Sequence, residues 1–160
     1  MAQDDALHDR WVPFEGAFNV RDLGGVTTSL GRTVRRGLVF RADGPRRLTA
    51  ADRVKVSALG IRHVIDLRTG PETAHGTWTA PGIAGHHFAV IDSIPDLSKH
   101  QPELPRLETP EAMAERYAFR VEGLPERYAE AVATAMDVAA DGVLFHCAAG
   151  KDRTGLIAAA

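Results

Sequence analysis

The chain has 160 residues, 44% apolar and 25% charged, a composition that suits one globular domain with a real core. Its formal net charge of -2 provides no global basic field, which argues against nucleic acid or an anionic membrane surface as partner, so any anion must be drawn by a local pocket. The single cysteine, Cys147, excludes an intrachain disulfide and fits either a reducing compartment or a thiol in chemical use.

Residues 1–13 read as a polar arm, and 14–160 as the domain. The start, MAQDDALHDR, is acidic and lacks the apolar run of a secretory signal. No stretch reaches the ~20 apolar residues that span a bilayer. Cytoplasm is the default location, and release by a route without a signal peptide stays open. Phe14 to Val26 carries Gly16, Gly24 and Gly25 and reads as turn-rich. Leu38-Val39-Phe40, within 33–41, reads as a short strand. Thr49 with Asp52 three residues on has the form of a capping box, opening a helix that runs to Leu59 and stops at Gly60. Ile61 to Leu67, IRHVIDL, reads as a strand buried on at least one face, and Gly85 to Ile91 as a weaker one.

Four prolines between 95 and 110 (Pro95, Pro102, Pro105 and Pro110) mark a loop or lid. Thr109-Pro110-Glu111 opens a helix, with proline at its first position. Pro125 opens another, whose Tyr128, Val132, Ala135, Met136 and Ala139 share a face. Asp141-Gly142 ends it, and Val143 to Cys147 is an apolar strand. Strands alternating with helices predict an α/β fold, with a central, mostly parallel sheet flanked by helices.

The chemistry concentrates in His146 to Gly155, HCAAGKDRTG. A strand end fixes the position of the Cys147 sulfur. The small residues Ala148, Ala149 and Gly150 let backbone N–H groups of the loop through Lys151 and Asp152 turn inward, and a helix N-terminus follows. Such a nest binds a dianion. Helix N-termini and cations also favour a thiolate, the nucleophile that attack on phosphorus requires. Arg153 offers a planar fork to two phosphate oxygens, in binding and in the transition state. Thr154 can donate its hydroxyl to the sulfur, and His146 can orient the loop backbone. No spaced set of His and Cys ligands accompanies them, so neither a metal nor another cofactor is expected.

This segment resembles the His-Cys-x5-Arg-Thr signature of the cysteine-dependent protein tyrosine phosphatases. Its Gly-Lys-Asp-Arg-Thr form resembles the bacterial tyrosine and lipid phosphatases of the mycobacterial type. FNVRDLGG, Phe18 to Gly25, resembles that group's Asn-x-Arg-Asp motif, and LGIRHVIDLRT, Leu59 to Thr69, its strand ending in Asp-Leu-Arg. FRAD at Phe40 to Asp43 resembles its Phe-Arg-Ser pattern, with Ala where the pattern has Ser, and gives Arg41 a structural role. The resemblance implies a phosphomonoesterase that forms a cysteinyl phosphate, with Asn19, Arg21 and Asp22 supporting the loop. It implies Asp66 as proton donor, in place of the Asp on a Trp-Pro-Asp loop that this chain lacks. Asp152, Asp92 and Asp96 are the other candidates. Lys151 adds charge suited to phosphoinositides beside phosphotyrosine and phosphoserine or phosphothreonine. Arg46-Arg47 is a possible docking pair for an acidic substrate, and His86-His87 reads as a polar strand pair.

Two other functions compete. A rhodanese-like sulfurtransferase also sets a cysteine in an anion loop after a strand, but its loop is shorter and lacks the threonine after arginine. A phosphate-binding module without turnover is the second. It draws on the chain's end six residues beyond Thr154, where the resembling enzymes continue into further helices, so truncation at the C-terminus and weak folding of the chain alone are expected.

Overall fold

The computed structural model describes residues 9–78, 80–91, 109–123 and 125–160. Among the described residues five strands form one sheet: β1 (Arg21–Asp22), β2 (Val39–Ala42), β3 (His63–Asp66), β4 (Ala84–His87) and β5 (Val143–His146), in the order β1-β2-β5-β3-β4. β1 is antiparallel to β2, and all other neighbours are parallel. The helices are α1 (Ala50–Ala58), α2 (Gly70–Thr73), α3 (Pro110–Gly123), α4 (Pro125–Asp137) and α5 (Asp152–Ala159), with a 3-10 turn at Ala139–Asp141. The expected α/β architecture is present.

The last strand in sequence, β5, is central in the sheet. All four of its residues are buried, as befits a parallel strand covered on both faces. On one face Ile65, Leu67, Val143, Phe145 and Cys147 pack against Tyr128, Ala131 and Ala135 of α4 and Ile157 of α5. On the other, Phe40, Ala42, Val64 and Leu144 pack with Ala17, Val20, Val56 of α1 and Trp78. The period-2 alternation of strands therefore sends Ile65, Val143 and Phe145 to one core and Val64 and Leu144 to the other.

Local chemistry explains most boundaries. The Thr49 hydroxyl accepts from Asp52 N at 3.2 Å, and Asp52 accepts from Thr49 N at 3.0 Å, the reciprocal box that starts α1. The same carboxylate accepts from Glu15 N and Gly16 N, both at 2.8 Å, so one residue caps a helix and pins the N-terminal segment. On α4, Met136 is 74% exposed, off the expected face; Ala131 takes the buried place beside Tyr128 and Ala135. Residues 10–12, within the expected polar arm, lie along β1: Val12 N donates to Val20 O at 3.0 Å, and Asp22 N to Arg10 O at 2.9 Å. Two elements have no counterpart in the sequence reading, β1 and the one-turn α2. The proline-rich 95–108 lies outside the described residues. Among the described residues no helix is long and apolar enough to cross a membrane.

Candidate active site

Parallel strands present their C-terminal ends on one edge, where ligands of open α/β sheets bind. Cys147 follows the central strand there and is 2% exposed. Ala148 and Ala149 are exposed, Gly150 is buried, and α5 begins at Asp152. The residue before it, Lys151, supplies no side-chain cap, so the first N–H groups of α5 are not satisfied by a capping side chain.

Five consecutive carbonyls of this loop are tied down. Cys147 O accepts from His146 Nδ1 at 3.2 Å and Ala148 O from Gly44 N at 2.9 Å. Asn19 Nδ2 donates to Ala149 O at 3.1 Å and to Gly150 O at 2.8 Å. Arg41 Nη2 donates to Gly150 O at 2.7 Å and to Lys151 O at 3.4 Å, and Gly155 N donates to Lys151 O at 2.8 Å. Gly150 has φ +64°, and a Cβ there would come 2.5 Å from Ala42 O, so both conformation and space require glycine.

Asn19 is held in turn. Its side-chain oxygen accepts from Arg21 Nη1, and its backbone N donates to Asp43 Oδ1 at 3.0 Å. Asp22 does something else than the expected support of the loop. Its carboxylate accepts from Gly24 N and Gly37 N, both at 2.8 Å, and fixes the turns beside β1.

Arg153 is 8% exposed and bound at both prongs by Glu72: Nη1 to Oε2 at 2.7 Å and Nη2 to Oε1 at 2.9 Å. Hydrogen bonds from Arg153, working against partial burial, hold the Glu72 carboxyl down at about 2. Burial would lower the Arg153 pKa, but the Glu72 bonds and the Cys147 charge outweigh it, and the guanidinium is raised. Arg41 goes the other way, lowered by burial and by Arg21, with Cys147 partly offsetting. Two guanidinium groups thus sense the sulfur electrostatically. Thr154 Oγ1 is buried and has no hydrogen-bond partner among the described residues.

Asp66 differs from expectation. It pairs in register with His146, and their side chains approach to 3.7 Å on the Trp78 side of the sheet, whereas Cys147 belongs to the α4 side. Arg68 forks it, Nε to Oδ1 at 2.9 Å and Nη2 to Oδ2 at 2.7 Å. Burial would raise its pKa, but the Arg68 bonds and the nearby His146 hold it below the usual carboxylate range. A carboxylate so held is a poor source of protons on the sulfur's side. Asp152 opens α5 within the loop, half-buried, and accepts from the Tyr117 hydroxyl at 2.6 Å. Asp92 and Asp96 lie outside the described residues. Burial pushes His146 down to about 4, so its ring is neutral near pH 7 and Nδ1 carries the donated proton.

Lys151 is exposed at the start of α5. His86 Nε2 sits 3.1 Å from His63 Nδ1, and His87 Nε2 donates to Arg68 O at 2.7 Å, a polar edge away from the loop. Among the described residues no group of three or more His, Cys, Asp or Glu is placed to hold a metal ion.

Glu72 escaped the sequence reading, and Asp43, at the end of FRAD, was given no role there. The only signal for Glu72 was its place three residues after Thr69: it accepts from Thr69 N at 2.8 Å and Thr69 Oγ1 at 3.0 Å, a capping pattern in a helix of one turn.

The sequence model described as the tyrosine phosphatase family matches residues 12–160. A Cupriavidus necator protein named "Putative tyrosine-protein phosphatase" is 38% identical over 160 residues, covering 94% of this chain and 55% of that protein. The triple specificity protein phosphatase PtpB of Mycobacterium tuberculosis is 31% identical over 170 residues, covering 90% of this chain and 60% of its own. A tyrosine-protein phosphatase of Nostoc commune is 36% identical over 116 residues, 70% of this chain and 38% of its own. The chain spans about half the length of the curated relatives it matches. With the family matched from residue 12 to residue 160 across the cysteine loop and everything that braces it, the chain belongs to the tyrosine phosphatase family.

Proposed function

We propose that the protein hydrolyses phosphomonoesters, phosphotyrosine first, through a phosphorylated Cys147. The observation that carries this reading is the set of five loop carbonyls from Cys147 to Lys151, each already engaged by a hydrogen-bond donor. With the carbonyls turned out, the N–H groups of Ala148 to Arg153 are left for an anion, and no water-exposed cation is needed to hold it. The Cys147 thiolate attacks phosphorus, an S–P bond forms and the P–O bond to the leaving group breaks. Arg153, pre-set by Glu72, steadies charge on the equatorial oxygens. Thr154, with its unpaired buried hydroxyl, donates to the sulfur as it leaves in the second step, when water attacks phosphorus and phosphate departs.

The leaving oxygen must gain a proton. Asp152 fits this role better than Asp66, because it stands in the loop itself and is not forked by an arginine. Lys151 at the loop rim suits substrates with further negative charge, phosphoinositides included. The name of the Mycobacterium relative, triple specificity, supports more than one class of phosphomonoester. The test is phosphate release from phosphotyrosine, phosphoserine and phosphoinositide panels by wild type and Cys147→Ser. Release from at least phosphotyrosine, abolished by the substitution, is expected. Equal release by both proteins contradicts the reading, and thiosulfate turnover in its place restores the sulfurtransferase.

A further inference from the structure

Beside the cysteine loop lies a second concave site, a cavity of about 370 Å³ lined by Pro45, Arg46, Leu48, Arg53, His75 and Gly76. Three of its six walls are basic side chains and none is acidic. Arg46 and Arg53 are exposed, and neither makes an ion pair among the described residues. Three carboxylates close to these residues in sequence have other partners. Asp43 takes the amides of Phe18 and Asn19, Asp52 those of Glu15, Gly16 and Thr49, and Glu72 takes Arg153. Both guanidinium groups of the cavity are therefore left without a carboxylate partner among the described residues.

Its position relative to the sulfur follows from the backbone. Asp43 to Pro45 leaves the C-terminal end of β2, on the edge of the sheet from which the cysteine loop also rises. Gly44 N donates to Ala148 O at 2.9 Å, and a Cβ on Gly44 would come 3.1 Å from that oxygen. A Cβ on Gly76 would come 3.3 Å from Pro45 O. The strand of backbone from 43 to 45 thus forms a single wall, with the loop on one side and the cavity on the other. Arg46 stands two residues beyond Gly44, within ~7 Å along the chain.

We propose that this cavity receives the acidic side chain flanking a phosphotyrosine in a peptide substrate. The proposal rests on the phosphatase reading and adds to it the substrate class. An extended peptide advances ~3.3 Å per residue, so an Asp or Glu one to three positions from the phosphotyrosine spans the wall. Pro45 and Leu48 give its methylene groups an apolar seat, and the guanidinium groups take its carboxylate in fork geometry. Neighbouring phosphates on one inositol ring are too close together to straddle a backbone strand, which favours the peptide over a lipid headgroup.

The experiment compares two phosphotyrosine peptides of one sequence, flanked by Glu or by Ala, with wild type and the Arg46→Gln/Arg53→Gln double variant. Wild type is expected to prefer the Glu peptide in kcat/KM, and the double variant to lose about three- to tenfold of that preference, the size of one or two partly screened ion pairs, through KM rather than kcat. The same preference is read as Kd by fluorescence anisotropy in a Cys147→Ser background, which needs no turnover. An unchanged preference, or an equal loss on both peptides, overturns the proposal. In a further arm the two proteins are given vesicles carrying a phosphoinositide, and a loss confined to these also overturns the proposal and assigns the cavity to a headgroup. Absence of p-nitrophenyl phosphate turnover by wild type would instead sink the phosphatase reading, and the anisotropy ratio would still decide the role of the cavity.

Discussion

Glu72 grips Arg153 with both carboxylate oxygens across 81 residues of sequence, at 2.7 and 2.9 Å, and joins a one-turn helix after β3 to the helix after β5. The pair is largely buried, with side-chain exposures of 10% for Arg153 and 14% for Glu72. Removing one partner of such a pair costs about 3–5 kcal/mol. Glu72→Ala is therefore expected to lower the urea midpoint clearly, and Glu72→Gln to lower kcat/KM by at least roughly tenfold, since Arg153 loses its orientation. A double-mutant cycle with Arg153→Ala checks the coupling: additive stability losses would mean that the two side chains act independently.

The loop geometry makes its own prediction. Gly150→Ala places a Cβ against Ala42 O at a positive φ, so the loop must leave β2. Phosphatase turnover is expected to fall by roughly two orders of magnitude, the scale of a lost oxyanion donor. Gly31→Ala is the control, at φ +72° with open space around it, and is expected to cost only about 1–2 kcal/mol of backbone strain. Arg41→Lys removes the fork that reaches Gly150 O and Lys151 O, and should slow turnover about tenfold and also slow alkylation of Cys147 by iodoacetamide. Normal alkylation in Arg41→Lys would confine Arg41 to packing.

The proton donor can be read from pH profiles. Asp152→Asn should remove the alkaline fall of kcat with phosphotyrosine and leave a good leaving group, such as p-nitrophenolate, less affected. Asp66→Asn should chiefly lower stability, because Arg68 then sits buried without its carboxylate. The reverse pattern would return the role to Asp66.

Much of this site was legible in the sequence. The strand, cysteine, small-residue loop and arginine are contiguous, so local spacing alone located the sulfur, Arg153 and Thr154. The Thr49–Asp52 capping box and the prolines at 110 and 125 gave the starts of α1, α3 and α4 for the same reason. What stayed hidden depends on contacts distant in sequence. Asp66 ends β3 and Cys147 follows β5 at one sheet edge, and only the register of β3 against β5 shows that they fall on opposite faces. Nothing local announces what Glu72 and Asp43 hold; their partners are 81 and 24 residues away. Met136 missed the core because Ala131 and Ala135 already fill the α4 stripe.

Stability should depend on pH through two groups. His146 is lowered from 6.5 to about 4 by burial, so the unfolded chain binds its proton more readily. The contribution of neutral His146 is complete above about 6.5 and is lost as pH falls toward 4. Glu72, lowered from 4.5 to about 2, is fully stabilising above 4.5 and loses its contribution between 4.5 and 2. Urea midpoints at pH 7.5, 5.5 and 4.5 should decline in that order, and His146→Gln should flatten both intervals. An equally steep decline in the variant would place the titration elsewhere.

The central claim is that the Cys147 sulfur carries the phosphoryl group. Its most direct measurement is mass spectrometry of the acid-quenched protein, digested after seconds with p-nitrophenyl phosphate. One phosphorylated peptide is expected, containing Cys147, accumulating further in Asp152→Asn if the same carboxylate helps water in the second step, and absent in Cys147→Ser. Steady turnover with no label at Cys147, or a label that survives Cys147→Ser, would contradict it.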